Sequence, residues 1–108
     1  MRIFHIATVV DWEQAQQSGA YTTSSRGRSL EDEGFLHAAH RQHVEAVFER
    51  YYRGWDEPLV LLTIDTDRLG VPWREDDVGE QKFPHIYGPL SPEAVVAVQP
   101  LDKHGGTE

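Results

Sequence analysis

Residues 83–90 read Phe-Pro-His-Ile-Tyr-Gly-Pro-Leu. Each proline fixes φ at roughly −65° and lacks an N–H. His85, Ile86 and Tyr87 between them are therefore confined to a short extended segment. In a strand His85 and Tyr87 point to one face and Ile86 to the other, because side chains alternate with period two. One face is apolar and the other carries an imidazole beside a phenol. His5 and His37 sit in similar short apolar segments. Three histidines in separate strands either find partners one by one or share a pocket where imidazoles bind hydroxyls, phosphate or metal.

The rest of the chain supplies the frame for these strands. Ile3 to Val10 is rich in β-branched and apolar residues and predicts a strand containing His5. Asp11 is the expected N-cap of a short helix over 12–18 that ends at Gly19. Thr22 to Arg28 predicts a polar surface loop, and Ser29 the cap of a helical turn closed by Gly34. Phe35 to Ala39 is a brief strand. His40 to Tyr52 has apolar residues at 44, 47, 48 and 51, the spacing of an amphipathic helix. Leu59 to Ile64 is the most apolar run and predicts the central strand. Val71 to Arg74 fits an edge strand because of Pro72. Asp76 to Lys82 reads as an acidic loop, Ser91 to Ala94 as a helical turn and Ala94 to Val98 as the last strand. The pattern predicts an α+β domain with a small, mainly antiparallel sheet and two to three helices. A single domain is expected over 1–101, followed by a polar tail over 102–108.

Composition narrows the chemistry. With 18 acidic residues against 10 basic ones the net charge is −8. Non-specific binding to nucleic-acid backbone, which needs Lys and Arg to release counterions, is not expected. A small anionic ligand in a local pocket is compatible with that charge. The chain has no cysteine, which removes thiolate nucleophiles and Cys-type zinc sites and suits the cytoplasm. No apolar run approaches the ~20 residues of a membrane-spanning helix. The N-terminus enters strand-like sequence directly, so no secretory leader is expected.

Motifs for the common chemistries are missing. There is no Gly-x-Ser-x-Gly elbow, no Walker loop and no Gly-x-Gly-x-x-Gly turn. His40 and His43 are three apart, whereas the His-Glu-x-x-His pattern sets its ligands four apart, so no metal is expected. Most of the carboxylates are expected on a solvated acidic surface, and Glu75 and Glu80 are the glutamates singled out close to the proline-bracketed segment. A carboxylate there can stabilise a developing cation. Tyr21 opens the polar loop and is placed to cover a pocket, while Trp12, Phe35, Phe48, Tyr51 and Trp73 occupy expected core positions.

Taken in order, these features resemble a known family. His5-Ile6, Trp12, Gly19-x-Tyr21, Ser29-Leu30-x-x-Glu33-Gly34-Phe35-Leu36-His37, Gln42, the 59–65 run and Phe83-Pro84-His85-Ile86-Tyr87-Gly88-Pro89-Leu90 are similar to bacterial domain-of-unknown-function family 952. That family in turn resembles the ADP-ribosyltransferase-like superfamily, a split antiparallel sheet that grips NAD. The resemblance implies that His5 hydrogen-bonds a ribose. It implies that His37 or Tyr21 lies at the nicotinamide, and that Glu75 or the His85–Tyr87 face takes the late polar role. Tyr21 or Tyr87 would stack on the nicotinamide, and His37 with His85 would orient phosphate or the acceptor. Ser29 and Gln42 complete the implied cofactor-binding set. The expected function is that of an NAD-using or nucleotide-binding enzyme. No glutamate sits in the late strand, so the alternative is a non-enzymatic binding module that uses the same cleft.

Overall fold

The computed structural model describes residues 1–25 and 27–107; Arg26 of the polar 22–28 segment and Glu108 of the tail lie outside the described residues. Its centre is the most apolar run. β5 (Leu59–Asp65) buries every residue from Leu59 to Ile64. It lies between β1 (Arg2–Thr8) and β8 (Val95–Leu101), antiparallel to both. Alternation sorts the side chains into two cores. Ile3 and Ala7 of β1 join Leu62 and Ile64 against Trp12 and Ala15 of α1 (Val9–Ser18). Ile6 joins Leu61 on the other face against Val44 and Phe48 of α3 (Val44–Tyr51).

A second sheet, in the order β4-β7-β6, is built from β4 (Leu36–His37), β7 (Gln81–Ile86) and β6 (Trp73–Val78). Phe4 and Ala39 exchange backbone hydrogen bonds of 2.9 and 2.8 Å. They tie β1 to the end of β4, so the two sheets meet along a seam beside His5. Between β1 and β4 lie a small hairpin, β2 (Thr23–Ser25) with β3 (Arg28–Ser29), and the short α2 (Leu30–Glu33). The chain is thus an α+β fold of mainly antiparallel strands divided into small sheets, as the sequence predicts.

Several boundaries differ from expectation, each for a local reason. The cap of α1 is Thr8, whose hydroxyl accepts from the Asp11 N–H at 3.1 Å, and the helix begins at Val9. Asp11 lies inside the first turn, where its charge suits the helix dipole. The expected helix over 40–52 is shorter. Ala39 is tied in extended form to Phe4, His40 remains extended (φ −76°, ψ 157°), and a 3₁₀ turn over 41–43 precedes α3. The polar 22–28 segment pairs as β2 and β3, with Ser24 buried and its hydroxyl donating to the Phe35 carbonyl at 2.6 Å. Ser29 caps α2 as predicted, accepting from Asp32 N–H at 3.1 Å.

The largest correction falls on the acidic segment 76–82. It is a hairpin, with Val78 opposite Gln81 and Asp76 opposite Phe83. Gly79 (φ 65°) supplies the positive φ that a two-residue turn needs. Pro84 lies opposite Ala38, just past the end of the β4–β7 pairing: its carbonyl accepts from Ala38 N–H at 3.1 Å, and Ala39 already pairs with Phe4 of β1. Pro100 lies on the edge strand β8, where a missing donor costs least. Residues 102–107 fold back over α3. Asp102 accepts from the backbone of His104 and Gly106 at 2.8 and 2.9 Å, and Gly105 sits where a Cβ would come within 2.6 Å of the Phe48 ring. Among the described residues no helix is long and apolar enough to cross a membrane.

Candidate functional site: a histidine-lined cavity at the seam

His5 occupies the middle of β1, between Ile3 and Ala7, and is 5% exposed. Its Nδ1–H donates across the seam to the backbone carbonyl of His37. That bond places the ring proton on Nδ1, so Nε2 is free to accept from the Tyr21 hydroxyl at 2.9 Å. Both nitrogens are committed and the ring is neutral. Burial pushes its pKa down to about 4, against the pull of the His37 carbonyl. Tyr21, 1% exposed, is fixed by two backbone bonds with Leu90 at 2.8 and 2.9 Å. Burial pushes its phenol up.

His37 and His85 face each other across β4 and β7. Their rings meet edge to face, with centroids 5.4 Å apart, and Phe35 stacks on His85 at 4.0 Å. Each imidazole has one nitrogen tied to a carboxylate. The His37 Nε2–H donates to Glu33 at 3.3 Å, and the His85 Nδ1–H donates to Asp76 Oδ2 at 2.8 Å. Burial lowers the His37 pKa, with the Glu33 bond opposing. Asp76 also accepts from the Tyr87 hydroxyl and, at 2.9 Å, from Arg74 Nε–H. The Tyr87 bond, seconded by His85 and Arg74, holds this carboxyl below the usual carboxylate range. Among the described residues His37 Nδ1 and His85 Nε2 have no protein partner.

All three imidazoles line one cavity of about 230 Å³ between the seam and α3. Phe4, Val44, Val47, Leu61 and Phe83 give it an apolar wall, and the exposed Arg50, Val78 and Gln81 mark its open side. The structure therefore brings His5, His37 and His85 together. It does not bring the other expected residues to the cavity. Tyr21 stands behind His5, in the core rather than over a pocket. Tyr87 stands behind Asp76. Glu75 points from β6 to the opposite face, where its two oxygens accept from His40 Nε2–H at 2.7 and 2.9 Å. The Ser29 hydroxyl is used as a helix cap. Gln42 is exposed on the 3₁₀ turn, in a shallow groove with Glu45, Glu49 and Arg53.

The residue that sequence reasoning passed over is Asp76. The signal was present: a two-residue turn at Gly79-Glu80 sets the register that puts Asp76, not Glu75, on the His85 face. Among the described residues, no group of three or more His, Cys, Asp or Glu side chains is placed to hold a metal ion. His43 packs its ring on Phe83 at 4.9 Å, and His40 is paired with Glu75, so the two do not converge.

The family described as "Protein of unknown function (DUF952)" matches residues 6–98. The chain is similar to the crystal structure of protein CC0527 from Caulobacter crescentus, with a TM-score of 0.82 and 25% identity over 100% of this chain and 94% of that one. The solution NMR structure of CC0527 gives a TM-score of 0.68 and 28% identity over 96% and 89% of the two chains. No curated protein matches the sequence.

Proposed function

The chain belongs to the DUF952 family, and we propose that its seam cavity binds the nucleoside end of NAD or a related nucleotide, in the manner of an ADP-ribosyltransferase-like protein. The observation that carries this reading is the pair His37 and His85. Each is held by a carboxylate on its outer side and offers an unpartnered nitrogen to the same cavity. Two fixed acceptors beside an apolar wall suit a sugar carrying hydroxyls and a flat ring. The hydroxyls donate to His37 Nδ1 and His85 Nε2, and the ring packs against Phe83 and Phe4. Volume sets the limit. At about 230 Å³ the cavity lies below the ~300–1,000 Å³ of a site for a whole drug-sized ligand, so it takes one ring and its ribose. The phosphates lie outside, near Arg50, a local cation on an acidic protein.

Two roles change from those the family resemblance implies. His5 has no nitrogen to spare for a ribose, so it holds the seam, and the ribose contact passes to His37 and His85. Stacking on the nicotinamide falls to Phe83 in place of Tyr21 or Tyr87. A cysteine-free chain using a dinucleotide of the cytoplasm fits a cytoplasmic protein.

A second reading has its own observation. Among the described lining residues there is no Asp or Glu. The cation-like sugar of glycosyl transfer is normally stabilised by a nearby carboxylate. A module that binds without turnover answers to the same cavity. Titration calorimetry with NAD, ADP-ribose and nicotinamide, joined to an assay for nicotinamide release, separates the readings. We expect saturable heat with NAD. Binding with release supports the transferase, and binding without release supports the module. No heat with any of the three at millimolar concentration would overturn both.

A further inference from the structure

We propose that His85 accepts the proton in a transfer reaction within this cavity, that Asp76 is its positioning residue, and that the group losing the proton is the O–H of water or an alcohol. This rests on the reading of the cavity as a site for NAD or a related nucleotide.

The argument starts from Asp76. Its carboxylate takes three donors: the Tyr87 hydroxyl and His85 Nδ1–H on Oδ2, and Arg74 Nε–H on Oδ1. The Arg74 guanidinium also lies 4.5 Å over the Tyr87 ring and donates to its oxygen at 3.1 Å. The carboxylate is thus anchored before His85 meets it. It fixes the ring proton on Nδ1 and leaves a lone pair on Nε2. Phe35, stacked 19° from parallel, sets the plane of the ring. An acceptor-only nitrogen selects a donor from the ligand. As the proton arrives, the imidazolium forms beside Asp76 and is stabilised by it.

The step balances as follows. The C1′–N bond to nicotinamide breaks, and its electron pair stays on the ring nitrogen, which relieves the pyridinium charge. The acceptor oxygen forms the new C1′–O bond. The acceptor O–H displaces the ribose hydroxyl at His85 Nε2, and its proton moves to that nitrogen and is later released to solvent. A cavity without its own carboxylate contributes by activating the acceptor. The titratable and charged groups around His85 are His37 from β4, His5 from β1, Asp76 and Arg74 from β6, Tyr87 after β7, and Arg50, Tyr51 and Tyr52 across the cavity at the end of α3.

The test uses the full chain, with Asp76→Asn and the conservative Asp76→Glu. Imidazole ¹⁵N shifts report the tautomer of His85 without any ligand, and nicotinamide release from NAD is followed at fixed pH. We expect wild-type His85 to carry its proton on Nδ1. In Asp76→Asn that preference is lost and release slows about 100-fold. NAD affinity falls about tenfold or less, well short of the loss in rate, and Asp76→Glu recovers part of the rate. An Nε2–H tautomer in the wild type overturns the proposal. So does an unchanged rate in Asp76→Asn. NAD bound without nicotinamide release overturns the proton transfer and leaves the binding site standing. No NAD binding overturns the reading of the site and this step with it.

Discussion

Alanine at position 5 lowers the free energy of unfolding by about 4 kcal/mol. The substitution removes a buried ring, leaves the Tyr21 hydroxyl without its acceptor, and leaves the His37 carbonyl without its donor. Each stranded buried group costs about 1–3 kcal/mol, and the vacated volume adds to that. A domain of this size has a total stability of about 5–15 kcal/mol, so the variant is close to unfolding. Urea denaturation followed by circular dichroism measures the effect, and a loss under about 1 kcal/mol would contradict it.

The same residue governs the acid response. Folded His5 titrates at about 4 and its ordinary value is 6.5. Between those values the unfolded chain binds a proton that the folded chain refuses, so stability falls as pH falls. From pH 7 to pH 5 the loss due to His5 is about 2 kcal/mol. The alanine variant lacks that component, and its stability changes less over the window. Equal slopes in the two proteins would mean that His5 is not held neutral by the fold.

Removing His37 and His85 together has a different signature. Both are replaced by alanine, and affinity for NAD falls about 100-fold, corresponding to two hydrogen bonds of about 1.4 kcal/mol each. Stability falls by about 3 kcal/mol: His85 is as buried as His5 but its loss strands only the part-exposed Asp76 carboxylate, and His37 is partly exposed. His5 is thus an architectural histidine, and His37 with His85 are the ligand-facing pair. An unchanged affinity in the double variant, measured by calorimetry on folded protein, would contradict this division.

The strand histidines could be read from the sequence because they interrupt short apolar runs. β5 could be read because Leu59 to Ile64 contains no break. α3 kept its apolar spacing, but its start could not be read. The Phe4–Ala39 pairing that holds residues 39 and 40 extended is a contact between distant segments. The hairpin over 73–86 was hidden for a related reason. Glu75, Asp76 and Asp77 have low strand preference on their own, and it is pairing with β7 that makes them a strand. Once that register is set, a shift of one residue exchanges Glu75 for Asp76 on the His85 face. Tyr21 was misread because its burial comes from the bridge to Leu90, 69 positions later in the chain. The sequence carried the residues of the site; the tautomers and free nitrogens arise only from cross-strand partners.

The central claim is that two imidazoles receive the ligand and the third does not. Imidazole ¹⁵N and ¹H resonances of the three strand histidines, followed during a titration with NAD, test it directly. We predict saturable shifts at His37 Nδ1 and His85 Nε2, with His5 unmoved. Shifts at His5 alone, or no shift at any of the three at millimolar NAD, would contradict it.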